Sequence, residues 1–282
     1  MAKSKFEYVK NFEIPDPTIP NTYLLVRIDG KGFTKFCETH KLEKPNDIRL
    51  ISLMNKCARH VMKEFNDIML AYGQSDEFSF LFRKSTNLYN RRSSKILSTL
   101  VSMFSTAFVF YWPDFFSIDS ASRIENSEFK AVWPETPTTL RLAYPPAFDS
   151  RLVVYPSDRE IRDYFSWRQA DCHINNLYNT CFWKLVLEQG LTPKEANSIC
   201  GKSDSAGKNE MLYSQFSTNY NTVPSIFRKG STLLRLPSVK KNKGEKSSPS
   251  VEKKDPIQDL HGVDIISKAF WEEYPFLTQV DY

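Results

Sequence analysis

The chain has 282 residues, of which 41% are hydrophobic, 14% aromatic and 25% charged, with a formal net charge of +5. This balance suits a globular protein with a sizeable core. It excludes a disordered chain, a collagen and a disulfide mini-scaffold.

Tyr23–Asp29 alternates with a period of two, placing Leu24, Val26 and Ile28 on one face of a strand. Asp47–Phe65 carries Ile51, Met54, Ala58, Val61 and Phe65 at helical spacing, behind Pro45 and an Asn46 or Asp47 cap. Ile68–Tyr72 and Glu77–Phe82 read as two strands joined by a turn at 73–76, with Phe78, Phe80 and Phe82 on one face. Arg91–Tyr111 reads as a second helix through Leu97, Val101 or Leu100, Phe104 and Phe108, and Arg151–Tyr155 as a further strand. The order strand, helix, strand, strand, helix, strand is the split βαβ arrangement. It predicts an α+β fold: an antiparallel sheet with two helices on one face. Beyond it, Arg159–Glu188 predicts a long helix, either continuous or broken near Asp171, and Thr192–Ile199 a helix with Pro193 in its first turn. Phe227–Leu236 reads as a hairpin or edge strand turning at Gly230, and Val263–Glu273 as a closing helix held by Ile266, Phe270 and Trp271. The expected division is a catalytic half over 1–135 and a mainly helical portion over 136–282 that completes the sheet.

Five cysteines (Cys37, Cys57, Cys172, Cys181, Cys200) with no C-x-x-C pair argue against a disulfide framework and a structural zinc site. Met1–Asp16 has no apolar core, so no signal peptide is expected. Ile96–Pro113 is uncharged over 18 residues but holds Ser98, Thr99, Ser102, Ser105 and Thr106, and reads as a buried helix rather than a membrane span. A cytoplasmic protein with no membrane partner is expected. Ser225–Lys254 carries nine Lys/Arg and two acids, so all the net basicity sits in that segment. Its middle, Lys240–Lys254 within a loop near 238–256, is either a solvated surface loop or an arm that attracts phosphate.

In a split βαβ sheet the first and third strands are antiparallel neighbours. Asp29 ends the first and Asp76 begins the third, so the two carboxylates converge at one edge. Such a pair suits hard cations, with substrate phosphates completing the coordination. Glu77 alternates to the opposite face from Asp76. Gly30-Lys31-Gly32-Phe33-Thr34 follows Asp29, and its backbone and Lys31 suit an anion. Ala196–Ser203 fits a relaxed P-loop pattern but lies within a helical run, where that motif does not work.

Three runs carry a resemblance: Val26-Arg27-Ile28-Asp29-Gly30-Lys31-Gly32-Phe33, Glu43-Lys44-Pro45-Asn46-Asp47, and Tyr72-Gly73-Gln74-Ser75-Asp76-Glu77-Phe78-Ser79-Phe80. Together they resemble the catalytic half of the tRNA-histidine guanylyltransferases. Arg168–Thr180, Lys208-Asn209-Glu210, Asn219-Tyr220-Asn221 and Phe227-Arg228-Lys229-Gly230 are similar to the eukaryotic branch of that family. The resemblance implies a palm like that of polymerases and cyclases. It implies a nucleotidyltransferase that activates the 5′-phosphate of histidine tRNA with ATP, adds one guanylate from GTP in the 3′-5′ direction and removes pyrophosphate. It also implies two Mg²⁺ per site and a homotetramer.

On that resemblance Asp29 and Asp76 are catalytic and hold the metals, with the Gly30 carbonyl as a further ligand. Gly30, Lys31, Gly32, Phe33, Thr34 and Ser75 wrap the GTP triphosphate, Lys44 meets a phosphate, and Asn46 and Asp47 lie near the guanine. Arg92 and Lys95 are either contacts to another triphosphate or an exposed basic turn. His173 is either structural or, with Asn175, Asn176 and Asn179, positions the activated 5′ end. Lys208, Asn209, Arg228 and Lys229 are RNA-phosphate contacts. The family usually carries a histidine where this chain has Thr34. The alternatives are a template-dependent 3′-5′ polymerase that repairs tRNA 5′ ends, and a non-catalytic tRNA-binding protein.

Overall fold

A computed structural model describes residues 4–123, 127–134, 139–237 and 256–278. Among the described residues six strands form one antiparallel sheet: β1 (Tyr23–Gly30), β2 (Ile68–Gln74), β3 (Glu77–Phe82), β4 (Phe148–Tyr155), β5 (Ser231–Arg235) and β6 (Ile257–Asp259). Their spatial order is β4-β1-β3-β2-β5-β6. The first four strands are the split βαβ sheet expected from the alternation of elements.

Among the helices, α1 (Phe33–Thr39) follows β1 directly, and α2 (Ile48–Glu64) and α3 (Ser93–Phe115) are the two palm helices. Strand alternation puts Leu24, Val26, Ile28, Phe78, Phe80 and Phe82 on one face, where they form a core with Met54, Ala58 and Val61 of α2 and Ile96, Leu100, Phe104 and Phe108 of α3. Of the two alternatives at 100 and 101, Leu100 is the buried one. By length and composition α3 could cross a membrane, but Ile96, Leu100, Phe104, Ala107, Phe108 and Trp112 are buried in this core.

After the short α4 (Ser127–Ala131) and β4 comes α5 (Asp158–Leu187), opened by a Ser157–Glu160 capping box. It is one unbroken helix. Asp171 does not interrupt it, because its side chain is held by Gln74 at 3.2 Å and Arg168 at 3.4 Å. The N-terminal half of α5 covers the second face of the sheet through Ile161, Tyr164 and Phe165, packed on Tyr23, Leu25, Tyr72 and Leu81. Its C-terminal half carries Leu177, Cys181 and Leu185 against α6 (Pro193–Lys202) and α7 (Ser205–Phe216). The P-loop-like run lies in and just after α6, with Ala196 and Cys200 buried, rather than in a loop between a strand and a helix.

Phe227–Leu236 is not a hairpin or an edge strand. It contains the end of α8 (Ser225–Lys229), then β5, which pairs with β2 on one side and β6 on the other. Gly230 joins them with φ +79, where a Cβ would lie 2.6 Å from the Gly73 carbonyl oxygen. The closing helix is shorter than expected: α9 (Lys268–Glu273) begins after Ile266, which is exposed. Ile265 is the buried anchor instead, packed with Phe270 and Trp271. The basic segment 238–255 lies outside the described residues.

Candidate active site

Asp29 and Asp76 meet at one edge of the sheet. Asp29 pairs in register with Glu77 across β1 and β3, and the Gly30 amide donates to the Asp76 carbonyl at 3.1 Å. The β2–β3 turn is two residues, Ser75 and Asp76, with Ser75 at φ +50. The Asp76 carboxyl is pushed up to about 6, by burial first and then by the charge of Asp29. A partly buried carboxylate facing a second one is the environment a divalent cation relieves.

Among the described residues no group of three or more His, Cys, Asp or Glu stands ready to hold a metal ion. The available donors are therefore a carboxylate pair and backbone oxygen. That set fits magnesium, which keeps water and substrate phosphate oxygens in its remaining positions.

The loop after Asp29 is only partly free to bind an anion. The Gly30 amide serves Asp76, and the Lys31 amide donates to the Ala147 carbonyl at 2.8 Å. Gly32 is in the left-handed region, φ +68, and opens α1. The amides of the first turn of α1 have no partner within the helix, so the anion-facing groups are those from Phe33 onward. The Phe33 ring is not among them: it is buried against Phe36, Phe108 and Phe148. Lys31 and Thr34 are exposed.

Two cavities flank Asp76. One, of about 290 Å³, is lined by Thr34, Lys44, Asn46, Asp76, Phe182 and Trp183 among others. The other, of about 430 Å³, is lined by Arg27, Asp29, Asp76, Trp167, Arg168 and Asn179 among others. Ser75, Asp76 and Asn179 line both. In the first, Lys44 lies over the Trp183 ring at 5.1 Å. Asn46 donates to Asn176 at 2.8 Å, and Asn176 donates to the Tyr220 hydroxyl at 2.9 Å. A smaller recess of about 70 Å³ behind the turn is lined by Asn175, Asn176, Asn179 and Asn55. The buried Asn55 amide has no hydrogen-bond partner among the described residues.

Asp47 is at the cleft, but its carboxylate is already engaged. It caps α2 through the Arg49 amide at 3.0 Å, accepts from the Glu43 amide at 3.0 Å, and pairs with the Arg49 guanidinium at 2.6 Å. His173 is on the exposed side of α5, with its ring 5.4 Å from Tyr220. Partial burial and then the charge of Arg228 hold its imidazole below the usual range, so it is neutral near pH 7. Asn175 donates to Asp171 at 3.1 Å.

Arg92 and Lys95 are not brought to the pair, and the four residues expected to meet RNA phosphate have partners of their own. Arg92 and Lys95 open α3 beyond the far end of β3, a strand of about 17 Å. There Arg92 lies 3.5 Å from Asp16 and Lys95 sits over the Tyr89 ring at 4.6 Å. Lys208 and Asn209 are on α7, where Lys208 donates to the Ser203 carbonyl and Asn209 to the Ser205 carbonyl. Arg228 donates to the Val223 carbonyl at 2.7 Å, and Lys229 lies 3.5 Å from Asp264.

A network given no role from the sequence lies behind Asp29. Arg168 donates to both oxygens of Glu77 at 3.1 and 3.0 Å, and Arg27 lies 3.6 Å from the same carboxylate. The signal was available in the spacing. Arg27 shares a strand face with Asp29, and residues 168, 171, 175 and 179 follow one face of a helix.

The sequence profile of the family described as tRNAHis guanylyltransferase matches residues 6–156, and that of the Thg1 C-terminal domain matches residues 159–267. The two segments meet between β4 and α5. A probable tRNA(His) guanylyltransferase of Dictyostelium discoideum is 49% identical over 98% of both chains. The tRNA(His) guanylyltransferase of Schizosaccharomyces pombe is 47% identical, also over 98% of both. The crystal structure of the Saccharomyces cerevisiae enzyme superposes with a TM-score of 0.71 at 43% identity, covering 82% of this chain and 93% of that one. A bacterial Thg1-like protein in complex with ATP shares the fold, with a TM-score of 0.68 at 20% identity over 97% of each chain. The chain belongs to the tRNAHis guanylyltransferase family.

Proposed function

We propose that the protein adds one guanylate to the 5′ end of histidine tRNA. The observation that carries this reading is the Asp29–Asp76 pair, with both carboxylates lining one cavity and Asp76 also lining a second. In the first step an oxygen of the tRNA 5′-phosphate attacks the α-phosphorus of ATP and pyrophosphate leaves. In the second, the 3′-hydroxyl of GTP loses its proton and attacks the activated 5′-phosphorus, and AMP leaves. Hydrolysis then removes pyrophosphate from the added nucleotide.

In-line displacement puts the attacking and leaving oxygens on opposite sides of phosphorus. Space on both sides of Asp76 supports that geometry. Asp29 and Asp76 would hold two Mg²⁺, which when bound neutralise the phosphate oxygens. Thr34, Ser75, Lys44 and the first-turn amides of α1 would hold the triphosphate of GTP. Asn46, fixed by Asn176, would face its base. Neutral His173 would serve as a hydrogen-bond acceptor near the activated end.

A homotetramer is part of the proposal. Exposed Phe6, Tyr8, Phe12, Ile14 and Phe110 support association between copies. A cytoplasmic location is proposed from the five free cysteines.

The test is labelled GTP with purified protein, Mg²⁺ and ATP on 5′-monophosphorylated histidine tRNA and on other tRNAs. Extension of histidine tRNA alone, by one nucleotide, is expected. Equal labelling of every tRNA, or repair of truncated ends only, would favour the repair polymerase. Binding without incorporation would favour the non-catalytic reading.

A further inference from the structure

The two cavities beside Asp76 each contain one tryptophan of α5, Trp183 in the first and Trp167 in the second. Sixteen helical residues separate them, about 24 Å along the axis. Trp167 is 54% exposed, whereas Trp112, Trp133 and Trp271 are buried. An indole left half in water forgoes about half of the burial that normally holds it in place.

Its surroundings are nevertheless ordered. The Arg168 guanidinium lies 3.6 Å from the centre of the Trp167 ring. Arg168 is itself buried and held by both oxygens of Glu77. Tyr164 supports the ring edge-on, with centroids 5.9 Å apart. The Arg27 guanidinium is 5.8 Å from the ring centre, at the rim of the same cavity. An exposed aromatic surface backed by a fixed cation, in a cavity shared with both carboxylates, has the composition of a base-stacking site.

We propose that Trp167 is a stacking platform for a nucleobase of the substrate on the Asp29 side of the carboxylate pair. Two sources offer that chemistry: the adenine of ATP and the base of the 5′-terminal nucleotide of the RNA. The identity of these ligands rests on the guanylyltransferase reading, but stacking is measurable without turnover.

The experiment compares equilibrium binding by the full-length protein, Trp167→Phe and Trp167→Leu. The probes are ATP, ribose 5-triphosphate, 5′-phosphorylated histidine tRNA, and the same tRNA with an abasic 5′-terminal nucleotide. Trp167→Leu is expected to weaken at least one base-containing probe about tenfold, the scale of one stacked base. Trp167→Phe should stay within about threefold of wild type, and Trp167→Leu should bind the matching base-free probe as wild type does. A loss confined to ATP assigns adenine, and a loss confined to tRNA assigns the terminal base. The wild-type protein should also lose affinity when the base is removed, a comparison that needs no variant to fold. Unchanged affinity of Trp167→Leu for both base-containing probes, or an equal loss on the base-free ones, overturns the proposal. Failure of labelled-GTP incorporation by wild-type protein would instead count against the guanylyltransferase reading alone.

Discussion

Gly30 and Asp76 are joined twice. The Gly30 amide donates to the Asp76 carbonyl at 3.1 Å, and the Asp76 carboxylate reaches so close over the glycine that a Cβ there would lie 2.7 Å from Oδ2. The first contact fixes the end of β1 to the β2–β3 turn. The second leaves Gly30 no space for a side chain. The same Cβ would meet the Phe33 ring at 2.2 Å, so the neighbouring core cannot give way cheaply.

Gly30→Ala should therefore displace both Phe33 and Asp76. A loss of about 1–3 kcal/mol is expected from overpacking, read by denaturant unfolding. Guanylate incorporation should fall by about 10²-fold, because a shift of about 1 Å at the reacting centre costs that much. Incorporation within twofold of wild type would show that Asp76 does not need its present position.

The raised Asp76 carboxyl gives a pH dependence with a definite sign. Between the ordinary value of 3.8 and about 6 the folded protein binds a proton that the unfolded chain does not. Without divalent cations, Asp76 therefore lowers stability as pH rises through about 4 to 6. In EDTA, Asp76→Asn should raise the melting temperature at pH 7.5, and the gain should fade near pH 4. In Mg²⁺ the midpoint of Asp76 should move below about 6, because a bound cation favours the ionised carboxylate. Asp29→Asn should lower the apparent value of Asp76 by removing its second cause, read by NMR titration of that carboxyl.

Glu77 is buried between Arg168 and Arg27, and burial raises its carboxyl while the two guanidinium groups oppose the rise. Removing Arg168 leaves the carboxylate with Arg27 alone at 3.6 Å. Arg168→Ala should cost about 3–5 kcal/mol, the usual effect of breaking a buried pair. Adding Glu77→Gln should restore a measurable part of it. Additive losses in this double-mutant cycle would refute the coupling.

Lys202 and Ser203 fit the phosphate-binding positions of a P-loop in sequence, but they sit at the C-terminal end of α6. Lys202→Ala should leave the KM for GTP within about twofold. A tenfold rise would place a nucleotide where the fold offers no cradle.

Association of the two aspartates is legible in the sequence, because alternation gives strands and the split βαβ order makes β1 and β3 neighbours. The core stripes of α2 and α3 followed from periodicity in the same way. Long-range packing was not legible. β5 entering the sheet between β2 and β6, and α5 covering its second face, each depend on segments far apart in sequence.

The order of residues thus determined which carboxylates share an edge, since period and connectivity are local properties that propagate into a simple sheet. Only the tertiary structure decided which groups remain free to act there. Asp47 is occupied by its own helix cap and Arg49, Arg168 backs Trp167, and Arg92 and Lys95 fall at the opposite end of the sheet. A side chain's availability depends on what folding brings against it, and hydrogen bonding and burial act between residues that the linear order keeps apart.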